Sequence, residues 1–386
     1  MKSTKNINIH VYPGTILFEA RMYKIAHTIK KLNIFDEIVL LGINNGMLPE
    51  EEALEKNIKI KRLNMNQNEW IKKSFFNRVF NVINLSKLIF KFLKHNQPSV
   101  VHAHNLASLP ILVIYKLCYG SKVVYDTHEL ETERNNWSKL ETFFAKIIEF
   151  SFIYFTDEIV VVNEEIGKFY NKKYGCNPHV INNVPEFFIA KKSNYLREQF
   201  NISLDTKICI FIGALSPNRG IEEYINFFQN TDLNVCLVFL GDGPLRNIVY
   251  DAHRNSKKIY FHERVPHNDV VRIASSADFS ISVLKVGNPA LSYNLCMPNK
   301  LFESMMAGVP IISGGMKSEA RFVNEKQVGI DIKFVNSKPC IEDAINTILD
   351  KDHLKMRKNC LELAKIYNWE NQSILIGKYM YKLLNK

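Results

Sequence analysis

The feature that most constrains this chain is a strand–helix alternation that runs through the sequence twice. Residues 7–12 read as a strand, Pro13-Gly14-Thr15 as a tight turn, 18–32 as an amphipathic helix and 37–43 as a second strand. A strand, a crossover helix and another strand start a parallel sheet. Further strands are predicted over 58–63, 99–105, 122–125, 158–162 and 180–181. Between Phe187 and Ile202 the pattern turns irregular and charged, and the alternation then restarts over 207–212, 235–240, 259–265 and 279–284. The expected fold is therefore α/β, with two consecutive Rossmann-like, doubly wound domains over 1–190 and 191–366. A closing segment, 367–386, follows. With 386 residues, each half is long enough to bury its own core.

Composition narrows the function classes. The longest apolar runs, near Leu106–Leu117 and Phe143–Phe155, are broken by Lys116, Lys146 and Glu149, too short and too charged to span a bilayer. The amino terminus runs straight into a strand without the pattern of a signal peptide. The seven cysteines are scattered, with no CxxC and no Cys/His metal spacing, as expected of reduced thiols in a cytoplasmic protein. No metal site is assigned. Asp350-Lys351-Asp352, the one DxD, lies between helices and reads as a cap. A formal charge of +11 favours anionic partners: nucleic acid, phospholipid or phosphorylated small molecules. Residues 70–95 carry Lys and Arg among Phe and Ile without one acidic residue. Such a helix either lies on an anionic membrane or packs on the sheet with a solvated basic face. Nucleic acid is disfavoured, since these cations form no recognition motif.

Candidate site residues collect at strand ends. In an open α/β sheet, ligands bind at the carboxyl edge. One strand ends at His104, and another leads into Asp126, His128 and Glu129. His128 is suited to hydrogen-bonding a sugar hydroxyl or to acid–base work, and equally to a backbone contact at a strand end. Gly14 leaves room for a phosphate or sugar, or simply serves its turn. In the second half, Gly213 opens a loop that carries Arg219. Residues 288–314 place Pro298 at the predicted first turn of a helix with no capping side chain. A helix start in that condition suits an anion. Lys300 adds charge there, and Glu303, one turn on, can accept hydrogen bonds from a ribose diol; a solvated ion pair is the plainer alternative.

Taken together, GALSPNRGIEEYI, FLGDGPL, RVPHNDVVRIASSADFSISVL and PNKLFESMMAGVPIISG, with VVHAHN and VYDTHELETE before them, resemble a family 4 glycosyltransferase of the GT-B fold. The resemblance covers nearly the whole chain. It implies two domains facing a cleft and a last helix, after Tyr367-Asn368-Trp369-Glu370, that crosses back to the first domain. It implies no obligatory metal or other cofactor. It also implies that Arg219, Lys300 and the amides of Lys300 and Leu301 hold the donor's diphosphate. Glu303 would hold the ribose, the main chain at Val265 the base, and Gly213 and Gly14 would approach the donor. His128 would contact the transferred sugar, with His104, Asp126, Glu129 and Asn294 as further cleft or acceptor residues.

The expected activity is transfer of a hexose-type unit, with retention, from a UDP- or GDP-sugar to a lipid-linked or oligosaccharide acceptor. The setting would be the cytoplasmic face of a bacterial membrane, in surface-polysaccharide synthesis. Two departures from the family pattern matter. Leu295 stands where a first glutamate is common, and Ala214 where a second cation is common. They keep two alternatives in view: a nucleotide-sugar 2-epimerase, and a catalytically silent partner of another transferase.

Overall fold

The computed structural model describes residues 5–17, 19–44, 46–65, 75–134, 137–188, 191–284, 291–350 and 352–385. The chain divides into two compact units: Met1–Asn182 with Gln372–Lys386, and Asn183–Asn371.

The first unit is built on an eight-stranded sheet of β1 (Ile7–Val11), β2 (Glu37–Asn44), β3 (Glu51–Glu55), β4 (Ile58–Asn64), β5 (Val100–Ala103), β6 (Lys122–Thr127), β7 (Glu158–Val161) and β8 (His179–Val180). Its order is β3-β4-β2-β1-β5-β6-β7-β8, parallel apart from β3. Helices cover both faces of such a sheet, so β1 and β5 are buried along their whole length. The pattern reading missed β3. Its sequence, EEALE, is mostly exposed and pairs antiparallel with β4, Glu51 opposite Lys61. Charge on an edge strand prevents further pairing, and it also erases the apolar alternation that marks a strand.

The second unit holds a parallel six-stranded sheet in the order β11-β10-β9-β12-β13-β14. Here β9 is Lys207–Ile212, β10 Val235–Leu240, β11 Ile259–His262, β12 Phe279–Val283, β13 Ile311–Gly314 and β14 Gly329–Asp331. Period-two alternation sorts β9 between two cores: Cys209 and Phe211 pack with Tyr224, Phe239 and Ile281, while Ile208 and Ile210 pack with Val238, Ala274 and Met306.

Most boundaries shift slightly from the sequence reading, and three of the shifts bear on its functional calls. The basic helix runs from Phe75 to Asn96, and residues 70–74 lie outside the described residues. Pro298 is the N-cap of the Asn299–Met306 helix rather than its first residue. The last helix starts at Trp369, where Trp369 donates its amide to the Pro185 carbonyl at 2.9 Å and Glu370 accepts the Phe187 amide at 2.9 Å. Among the described residues, no helix is long and apolar enough to cross a membrane.

Candidate active site

In the second unit, the carboxyl ends of β9, β10 and β11 open onto a pocket of ≈ 390 Å³. The chain order reverses at β9, which has β10 on one side and β12 on the other, and a crevice forms where connections leave in opposite directions. The loops meet backbone to backbone there. A Cβ on Gly241 would lie 1.9 Å from the Gly213 carbonyl oxygen, and Gly213 itself has φ +127°, a conformation side chains avoid. Of the residues read from sequence, Gly213, Arg219, Val265, Lys300 and Glu303 line this pocket, with Ala214 beside them. Leu301 and Asn294 are not among the lining residues.

Two cations define the pocket's electrostatics. Arg219 donates from Nε to Ser216 Oγ at 3.1 Å. The Lys300 side chain is buried, with Nζ 4.8 Å from the Phe211 ring centroid. Burial, then the like charge of Arg219, pulls the Lys300 amine below the usual lysine range. An anionic guest relieves that cost. Pro298 has no side-chain cap to offer, and amides in a first turn find no partner inside their own helix. The Leu301 amide is the exception. It donates to the Pro298 carbonyl at 3.0 Å, because the first turn tightens, and its side chain is fully buried. Leu301 is thereby committed to the helix rather than presented to a ligand.

In the first unit the equivalent reversal lies at β1 and β5, and a string of ionisable groups sits on it. Arg21 grips Asp126 with Nε at 3.1 and 3.2 Å and Nη2 at 2.7 Å. Asp126 Oδ2 lies 3.1 Å from His104 Nδ1, which is 3.1 Å from His128 Nε2; His104 Nε2 lies 2.8 Å from His10 Nδ1. His102 stacks on His10 at 4.1 Å. His104 and Asp126, read as cleft residues, are buried links of this string, and only His128 reaches the surface, with 21 % of its side chain exposed. Glu129 pairs with Arg134 at 3.0 Å. Gly14 lies against the Tyr12 ring, which would have to shift to admit a Cβ there, 2.4 Å away as the ring stands.

Among the described residues, two groups of three are close enough to suggest a metal: His10, His102 and His104, and His104, Asp126 and His128. The 2.8 Å between His10 Nδ1 and His104 Nε2 argues otherwise for the first. Two nitrogens bound tetrahedrally to one zinc at ~2.0–2.1 Å stand about 3.3 Å apart. The observed separation is that of a hydrogen bond.

Two family models match the chain: "Glycosyl transferases group 1" over residues 193–366 and "Glycosyltransferase Family 4" over residues 48–184. The chain belongs to the GT-B glycosyltransferases. The chain is 25 % identical over 187 residues to D-inositol 3-phosphate glycosyltransferase of Corynebacterium glutamicum, covering 45 % of this chain and 43 % of that one. It is 22 % identical over 229 residues to lipopolysaccharide 1,2-N-acetylglucosaminetransferase of Salmonella typhimurium, covering 55 % and 59 %. The chain thus spans about half the length of these curated relatives. Among solved structures, Anabaena HepE in complex with UDP-glucose superposes with a TM-score of 0.71 at 12 % identity, over 97 % of this chain and 99 % of that one.

The string fixes proton positions in this glycosyltransferase. The Asp126 carboxylate is held ionised against its own burial by Arg21, with His104 assisting, so its pKa lies well below the usual range. A carboxylate only accepts, so His104 carries its proton on Nδ1. In the neutral form of His104 its Nε2 is then bare and accepts from His10 Nδ1–H. His128 Nε2, facing the His104 proton, is likewise bare, which leaves His128 protonated on Nδ1. Long-range ¹H–¹⁵N correlation of the histidine rings near neutral pH should show the Nδ1–H tautomer for His10, His104 and His128. An Nε2–H signature for His104 would overturn the assignment.

Sequence reasoning missed Arg21, His10 and Glu319. Arg21 and Asp126 are 105 residues apart, and only the fold reveals their pairing. Glu319 is fully buried, accepts from Ser282 Oγ at 3.3 Å, and has its pKa raised by that burial.

Proposed function

We propose that this glycosyltransferase moves a hexose-type unit from a UDP- or GDP-sugar to a lipid-linked or oligosaccharide acceptor, with retention, in bacterial surface-polysaccharide synthesis. The observation that carries the reading is the second-unit pocket. Arg219, Lys300 and the uncapped start of the Asn299–Met306 helix meet in it, with Glu303 one turn deeper. Cations and aligned amides favour a diphosphate, most of all as charge develops on it while the sugar leaves. Glu303 would accept from the ribose hydroxyls, and the backbone at Val265 would meet the base. His128 would offer a donor at Nδ1 to a sugar hydroxyl. The Salmonella relative, named for lipopolysaccharide, supports the acceptor class by analogy, whereas the Corynebacterium relative, named for D-inositol 3-phosphate, supports glycosyl transfer but not that acceptor. The basic Phe75–Asn96 helix supports attachment to an anionic membrane from the cytoplasmic side.

A panel of UDP- and GDP-sugars tests the reading by thermal shift, because a ligand that binds only the folded state raises its melting temperature. One nucleotide class should stabilise the protein. Arg219→Ala and Glu303→Ala should each weaken that binding by about tenfold or more, the loss of a charge-assisted contact of roughly 1.5–3 kcal/mol. Unchanged donor affinity in both variants would move the site elsewhere. Product analysis without acceptor separates transfer from epimerisation of the donor sugar.

A further inference from the structure

We propose that the outward face of the Lys139–Ile153 helix is the surface that enters an anionic bilayer. This rests on the membrane-attached reading above and adds to it the element that penetrates. The helix is turned inside out. Its inner face carries a carboxylate: Glu149 is fully buried and accepts hydrogen bonds from Tyr125 at 2.9 Å, from Tyr170 at 2.5 Å and from Tyr174, with Lys173 Nζ 3.7 Å away. Its outer face carries Leu140, Phe143, Ile147 and Phe150, and the next residue past its end is Tyr154, with Phe143 58 %, Phe150 57 % and Tyr154 58 % exposed. These positions recur at intervals of three and four, a single stripe along the helix. The Ser138–Glu141 capping box fixes where the helix begins.

The rotation of the helix is set by Glu149. A buried carboxylate is tolerated only where it is fully hydrogen-bonded, and three tyrosine hydroxyls converge on this one. Turning the stripe inward would withdraw Glu149 from them. The aromatic face therefore stays outside by construction, and a contiguous apolar surface of this kind marks a contact site. The neighbouring Leu109–Tyr119 helix packs between this helix and the basic one, and extends the surface with Leu117, 65 % exposed.

Charge decides the occupant. The three helices together hold seven Lys and Arg against two acidic residues, of which Glu149 is buried. Lys116 and Lys146 are already paired with Asp157 and Glu133; a second copy would still set the remaining excess of positive charge against its own like, whereas an anionic headgroup layer neutralises it while its acyl boundary receives the aromatic rings. The stripe is short and one-sided, the pattern of a helix that lies in the interface rather than across it.

Co-sedimentation of the full chain with vesicles tests this, comparing phosphatidylcholine alone with an equal mixture of phosphatidylcholine and phosphatidylglycerol. The wild type should bind the mixed vesicles and leave the neutral ones largely free. The double substitution Phe143→Gln/Phe150→Gln should reduce binding to mixed vesicles by about tenfold or more, since two ring-sized apolar groups no longer enter the interface. Leu354→Gln, at an exposed leucine of the second unit, should change nothing. Equal binding by wild type and double variant would overturn the proposal. So would a concentration-dependent dimer in analytical ultracentrifugation that the double variant abolishes, which would assign the face to a second copy. Melting temperatures confirm that both variants fold. No nucleotide sugar enters the assay, so its failure leaves the donor-site reading standing, and loss of the donor site leaves this result interpretable.

Discussion

Lys300→Met is expected to lower donor turnover by about 10²–10³-fold, the usual cost of removing one preorganised charge from a developing anion, or roughly 2.7–4 kcal/mol. The magnitude separates two sources of phosphate stabilisation. A helix N-terminus contributes about 0.3–1 kcal/mol, rising toward ~2 kcal/mol when partly buried. Lys300 is a buried cation, and its attraction to a leaving diphosphate is screened far less. Methionine keeps the apolar stem against Phe211, so packing survives. The remaining cost falls on Glu319, which loses a nearby positive charge, and its already raised pKa lets it take up a proton instead. Steady-state kinetics with the nucleotide sugar identified by thermal shift provide the test. A KM effect alone, with kcat unchanged, would mean that Lys300 holds the ground-state donor and not the transition state. The pH dependence carries a second check. The depressed pKa of Lys300 means that its charge is lost earlier on the alkaline side than in an ordinary lysine. The wild-type kcat/KM for donor should therefore decline with rising pH before lysine's usual range, and Lys300→Met should lack that limb.

How much of this was legible depends on whether the responsible partners are close in sequence. The parallel sheets were, because fully buried strands such as KICIFI and VCLVFL stand out as apolar runs between helices. The uncapped helix after Met297 was also legible, and the structure shifts its first residue by only one, since an extended proline caps where it was expected to start. The pocket residues Arg219, Lys300 and Glu303 were legible one by one, as side chains at loops and helix starts. What failed had long-range causes. β3 hid behind its charges. The inverted Lys139–Ile153 helix could be recognised only after Tyr125, Tyr170 and Tyr174 were found around Glu149. The histidine string looked like separate strand-end residues, because its links join β1, β5 and β6. Its consequences reach stability as well as chemistry.

Stability of the first unit should fall steeply as the pH drops below about 6.5, the histidine value of an unfolded chain. His102 is fully buried with neither ring nitrogen hydrogen-bonded, and burial, reinforced by His104, lowers its pKa to about 3. His10 is lowered well below its ordinary range by burial first and then by its neighbours His102 and His104, with Asp126 opposing. The sign follows from proton counting. Between about pH 3 and 6.5 the unfolded chain binds these protons and the folded unit does not, so unfolding takes up protons and stability decreases on acidification. Each such histidine contributes up to about 1.4 kcal/mol per pH unit, and two give nearly 3. Over two pH units that removes nearly 6 kcal/mol, a large share of a typical total of about 5–15 kcal/mol and enough to open a unit at the lower end of that range. Asp126 behaves differently. Its depressed pKa supplies stability that is fully present above the ordinary carboxylate value and is lost as the pH falls below it, so it adds slope only at the acid end of this window, below about pH 4. Hydrogen exchange read on peptides covering β1 and β5, corrected for intrinsic rates, measures the opening free energy at each pH. His102→Leu removes one titrating ring and should flatten the slope by about 1.4 kcal/mol per pH unit near pH 5. If the variant follows the wild-type slope, His102 does not stay neutral in the folded unit.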